Sequence, residues 1–373
     1  MVLRRFLCEG IFRAALNYEQ VHRMHRTIIA AIFLAFFAFR LYAQTAPSAD
    51  QSAAEAPQAT PTPFENAESL AARGRLDKAM PILDGLAAQS PEPAGVERLR
   101  GMILYQKDQF PEAFKAFSKA ADQDPQDRES IEMQGLSLYR TGHSAEALPY
   151  LEKAHATVIR ANVDPEYVLG LCYSDVKRYD DARHAFATQY GFAPDSAEAY
   201  LLAARLFLRR EFAAEAAREA HKALEINPNL PLAHQLLAEV ALAKADVAAA
   251  IPELEAERKI NPLNGNLYDR LGDAYLRNGQ FDQAKEALNR AVLLEPSATA
   301  PYILLGEVFL KLKQPIEALH YLDHAAKMDP SNYLTHNLLG QAYKATGQVE
   351  EANREFQLVV DLQNNDKQRP AGK

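Results

Sequence analysis

Between residues 265 and 298, Tyr268, Leu271, Gly272 and Tyr275 are spaced i, i+3, i+4 and i+7. That spacing lines one face of a first helix. Gly279 follows, in the role of a left-handed helix end. Ala284, Leu288 and Ala291 then stripe a second helix, and Pro296 stops it. The same hairpin pattern returns at a period of 34. It reappears downstream at Leu305-Gly306 with Ala318, Leu322 and Pro330, and at Leu339-Gly340 with Ala352 and Phe356. Upstream it reappears around Leu237-Ala238, Ala203-Ala204 and Leu169-Gly170. A degenerate copy around Gly135 carries one extra residue near Asn162, and copies around Gly101 and Leu70 complete a series of nine units over residues 60–366.

Two details support the alignment independently. The eighth position is always small: Ala67, Gly101, Gly135, Gly170, Ala204, Ala238, Gly272, Gly306 and Gly340. Small residues there let the two helices of a hairpin approach closely. Pro81, Pro149 and Pro252 share position 22, which the pattern puts early in the second helix, where a backbone N–H lacks an intrahelical partner.

On these residues the chain resembles the tetratricopeptide repeat (TPR) family over about four-fifths of its length. The resemblance implies an all-α protein, a right-handed α-solenoid of stacked antiparallel helix pairs, with first helices lining a concave groove and second helices outside. It also implies a binding scaffold without catalytic activity. The sequence departs from the family at the fourth position, where an aromatic is usual and Pro63, Glu97, Ile131, Glu166, His234 and His336 stand.

The first 43 residues differ from the rest. They carry six Arg, no Lys and two acids, and the apolar run Thr27–Phe39 is followed by Arg40 and then Ala43. This reads as a signal peptide cut after Ala43, with a retained membrane anchor as the alternative. The run is shorter than the roughly 20 residues a span needs. Met24 offers an alternative start. Residues 44–59, rich in Ala, Pro, Ser and Gln, read as a linker, and 367–373 as a polar tail. A periplasmic or secreted location follows from cleavage, and a membrane-anchored periplasmic one from retention. Removing residues 1–43 takes 41 basic and 49 acidic residues to 35 and 47, a net charge of −12. The formal charge of −8 for the whole chain argues against wrapping nucleic acid, which needs a dense basic stripe.

Candidate chemistry is sparse. Cys8 and Cys172 cannot build a disulfide scaffold or a four-cysteine zinc site. There is no phosphate loop, no H-E-x-x-H, no G-x-S-x-G and no C-x-x-C. No cofactor, metal or catalytic residue is expected. His320 and His324, at i and i+4, read as exposed histidines, and Cys172 as a buried small residue.

The family resemblance places positions 2, 5, 9, 12 and 13 of each unit on the groove. In units 2–5 these include Arg98, Met102, Tyr105, Tyr139, Arg140, Tyr167, Leu171, Leu201, Arg205, Leu208 and Arg209, the aromatic, aliphatic and Arg composition of binding hot spots. In units 6–9 they include Gln235, Glu239, Asp269, Asp273, Arg277, Glu307, Lys311 and Gln341, more polar and acidic. A protein or peptide segment held in the groove is the expected partner. The competing expectation is that these side chains pack between neighbouring first helices. Lys at position 5 with Asn at position 9, the clamp of carboxylate-binding TPR proteins, is absent, as is the Asn ladder at position 6 of glycosyltransferase-linked arrays. Phe356, Val359, Val360 and Leu362 on the last helix are expected to be partly uncovered, a surface for self-association. The function expected is therefore an exported, non-catalytic scaffold in the cell envelope. The alternatives are an accessory subunit of an envelope enzyme or of a secretion or assembly complex, and a cytosolic scaffold whose first residues are wrongly assigned.

Overall fold

The computed structural model describes residues 61–155 and 164–368. The leader, Met24, the linker, the extra residue near Asn162 and the last five residues of the tail lie outside the described residues. Among the described residues the chain is all helix: α1 (Pro63–Ala72), α2 (Leu76–Ala87), α3 (Val96–Gln106), α4 (Phe110–Gln123), α5 (Arg128–Arg140), α6 (Ser144–His155), α7 (Asp164–Asp175), α8 (Tyr179–Tyr190), α9 (Ala197–Arg209), α10 (Ala213–Ile226), α11 (Ala233–Ala243), α12 (Val247–Ile260), α13 (Gly265–Arg277), α14 (Phe281–Leu294), α15 (Thr299–Lys311), α16 (Pro315–Met328), α17 (Tyr333–Ala345) and α18 (Val349–Gln368). The even-numbered, second helices start at intervals of 34 residues, except that Ser144 to Tyr179 spans 35.

Local chemistry sets the helix ends. At the start of α1, Thr62 and Glu65 form a reciprocal capping box ahead of Pro63. Ser196, Asn264 and Asn332 cap α9, α13 and α17 through their side chains. Second helices α10, α12, α14 and α16 each end two residues before a proline (Pro228, Pro262, Pro296, Pro330). The residue before that proline leaves the helical region, with φ between −122° and −138°. Between the helices of a pair the chain makes the same turn nine times. A residue of positive φ stands at Gly74, Asp108, Gly142, Lys177, Glu211, Ala245, Gly279, Lys313 and Gly347. The next N–H returns to the carbonyl five residues back, as Gln280 does to Tyr275 at 2.8 Å and Asp246 to Ala241 at 2.9 Å.

The shared prolines sit deeper than the pattern suggests. Pro81, Pro149 and Pro252 are each the sixth residue of their helix, where an N–H would have an intrahelical partner. All three are exposed, so the carbonyl each leaves unbonded faces water.

The chain divides into two compact units, one up to Ser137 and one from Leu138. In the first, α1 packs on α2 and α3 on α4. Its core holds Ala67, Ala79, Leu83, Val96 and Ile103, with Phe117 fully buried. In the second, pairs α7–α8 through α17–α18 each pack internally, and each second helix packs on the first helix of the next pair. Aromatic rings tie neighbouring pairs: Tyr179 meets Phe207 at 5.3 Å and Phe212 at 5.9 Å. The small eighth position is sterically required. A Cβ on Gly272 would sit 2.3 Å from Leu288 Cγ, and one on Gly170 2.4 Å from the Phe186 ring.

Candidate partner-binding surface

Of the eleven side chains placed on the groove in units 2–5, all fall on first helices; Arg140, the last residue of α5, is exposed, and the other ten divide between the two compact units. In the first unit Arg98 is exposed, 3.8 Å from both Asp127 and Glu129. Met102 and Tyr105 are half-buried, and the Tyr105 ring meets Phe110 edge-on at 5.1 Å.

In the second unit the remaining seven separate by burial. Leu171 and Leu201 are 9% and 5% exposed and belong to the packing between helices. Tyr139, Tyr167 and Leu208 are half-buried, and Arg209 is exposed. Tyr167 packs on Phe186 at 5.7 Å. Burial pushes the Tyr139 hydroxyl above its ordinary pKa, so it is a neutral hydrogen-bonding tip on a large apolar ring. Arg205 is bound to Glu239, one unit further on. Glu239 also accepts from Gln235 at 3.0 Å and lies 3.4 Å from Arg270. Arg205 is therefore one member of a ladder across α9, α11 and α13.

Tyr139 lines a cavity of about 710 Å³ with Arg140, Gly142, Ser144, Ala145, Asp175 and Val176. Ser144 donates to Asp175 at 2.6 Å, and Arg210 holds the other carboxylate oxygen while donating to the Leu171 carbonyl at 3.2 Å. These bonds fix the floor, so a partner would meet a preorganised surface. Arg210 and Asp175 escaped the sequence reading because their partnership spans 35 residues. The nearby Cys172 thiol is buried and pushed up to about 12 by that burial, which leaves it a thiol rather than a nucleophile.

The acidic positions are partly neutralised within the fold. Besides Glu239, Asp273 lies 3.5 Å from Arg277. Asp269 is different: one buried oxygen has no hydrogen-bond partner among the described residues, and burial, reinforced by Asp273, raises its pKa to about 6. His324 packs on the Tyr302 ring at 4.4 Å and His320 edge-on to Tyr321 at 5.3 Å. Among the described residues no group of three or more ligand side chains could hold a metal ion. The surface offers rings, guanidinium groups and anchored carboxylates, which suit binding.

Models of tetratricopeptide repeats match residues 64–128, 265–298 and 309–371, and the model of anaphase-promoting complex, cyclosome, subunit 3 matches 106–189. No curated protein matches the chain by sequence. Among solved structures, MamA 41-end from Desulfovibrio magneticus RS-1 is 22% identical with a TM-score of 0.45, covering 47% of this chain and 98% of its own. YrrB, a TPR protein with an unusual peptide-binding site, is 18% identical with a TM-score of 0.38, covering 52% and 95%. Yeast Tom70 is 11% identical with a TM-score of 0.37, covering 80% and 91%.

Proposed function

We propose that this chain, which belongs to the tetratricopeptide repeat family, is an exported, non-catalytic scaffold that holds a protein segment against its first helices in the cell envelope. The observation that carries the binding role is the surface of the second unit around Tyr139. A half-buried aromatic stands in a cavity of about 710 Å³ whose acidic floor is already fixed by Ser144 and Arg210. Aromatic and Arg anchors over a rigid floor are the makings of a hot spot. Export rests on the basic, then apolar, first 43 residues. Leu171, Leu201 and Arg205 support the surface from beneath, while Tyr139, Tyr167, Leu208 and Arg209 meet the partner.

The test is an affinity capture from envelope fractions, comparing the wild type with a Tyr139→Ala/Arg209→Ala variant of unchanged helicity. A protein held by the wild type and lost by the variant supports the reading. Identical captures place binding elsewhere, and recovery of the uncut protein in the cytosol contradicts export.

A further inference from the structure

We propose a second docking site in the second unit: a cavity between α10, α11 and α12 that receives a tyrosine side chain from a protein partner. The argument starts from position 11 of the repeat. That position is Leu70, Leu104, Leu138, Tyr173, Phe207, Tyr275, Phe309 and Tyr343 in eight units and Ala241 in the sixth. Where it is tyrosine, the ring lies against the preceding second helix and its hydroxyl bonds to the residue at position 25 there. Tyr173 donates to Glu152 at 2.8 Å, Tyr275 to Glu255 at 2.6 Å, and Tyr343 to Asp323. The corresponding pair between the fifth and sixth units is Ala241 and His221. A cavity of about 210 Å³ lies there, lined by both of them and by Ala217, Leu237, Ala249 and Glu253 among others.

Size and chemistry specify the occupant. Buried cavities of about 150 Å³ accept a benzene ring, whereas pockets for free small molecules run from about 300 Å³ upward. One ring on a chain fits, and Leu237, Ala217 and Ala241 supply apolar walls. His221 is exposed at the mouth, and among the described residues no side chain hydrogen-bonds its ring. It stands where the other units place the acceptor of a tyrosine hydroxyl. The protein's own Tyr173, Tyr275 and Tyr343 therefore show what this wall is shaped to hold. None of the lining residues occupies a groove position, so this inference and the groove reading stand or fall separately.

The test uses the full chain with 13C-labelled alanine methyls and two probes, p-cresol and the blocked peptide acetyl-Gly-Tyr-Gly-amide. Both are expected to shift the Ala217, Ala241 and Ala249 methyls saturably, with a dissociation constant on the order of 1 mM for p-cresol. Ala241→Tyr installs the ring found in other units. It is expected to weaken p-cresol binding about tenfold or more and to raise the urea midpoint. Ala217→Leu, which plugs the cavity from α10, gives a second route if Ala241→Tyr fails to fold. Absent or unsaturable shifts overturn the site, as does p-cresol binding unchanged in both plugged variants. Binding of p-cresol without the peptide overturns the partner side chain in favour of a free phenol.

Discussion

At Gly272 the fold leaves no room for a side chain, because a Cβ there would lie 2.3 Å from Leu288 Cγ. Gly272→Leu is expected to cost about 1–3 kcal/mol, read as a lower urea midpoint; an unchanged midpoint would contradict the close helix approach. Asp269 gives the opposite sign. Its pKa, raised to about 6 by burial and by Asp273, means the folded chain binds this proton more tightly than the unfolded chain does. The associated stability is present below the unfolded carboxylate range and lost as pH rises through about 6. Asp269→Asn should therefore stabilise the protein at pH 7 by about 1 kcal/mol, a figure discounted for solvent screening. Its advantage over wild type should shrink as pH falls towards about 4. Urea melts of both proteins across that range check this, and a constant difference would count against it. The sequence could place Asp269 on a first helix but could not show that one of its oxygens is buried without a partner among the described residues, since that depends on neighbouring pairs.

The helices themselves were almost fully legible, because each repeat writes its own caps and breaks. The turn between paired helices makes the same left-handed residue nine times, yet only Gly74, Gly142, Gly279 and Gly347 are the residue type suited to it. Asp108, Lys177, Glu211, Ala245 and Lys313 hold positive φ with a side chain. Ala245→Gly is thus expected to stabilise by about 0.5–1 kcal/mol, the strain relieved less the added freedom of the unfolded chain. Differential scanning calorimetry would show a higher Tm, and a lower one would refute the strain. Departures at position 4 also resolve in the fold. Tyr268 and Tyr302 donate to the carbonyls of Pro262 and Pro296 at 3.2 Å, and a His336 ring nitrogen meets Pro330 at 3.0 Å. Glu97, buried at the same position, is held by Arg100 and Lys119. What the pattern misjudged were the shared prolines, since it fixes the repeat register but not where a helix begins.

Across the molecule, legibility follows from repetition. Within each unit the helices of a pair pack on one another, and in the second unit each pair also packs on the next, so periodicity in the sequence is periodicity in the core. Function is less legible for the same reason. A repeat position says which helix face a residue occupies, and only the neighbouring unit decides whether it stays available. Leu171 and Leu201 are buried, Arg205 is bound by Glu239 of the next unit, and Tyr139 stays half-exposed beside its cavity. Of the four α18 residues expected to be partly uncovered, Val360 is 48% exposed and Phe356, Val359 and Leu362 are half-buried. The central claim is that a partner lies along the first helices of the second unit. The direct measurement is photocrosslinking in cells with benzoylphenylalanine at position 139 or 209, and at 289 on exposed Asn289 of the second helix α14. The account predicts one shared partner segment crosslinked from 139 and 209 and not from 289. Crosslinks from 289 alone, or equally from all three, would contradict it.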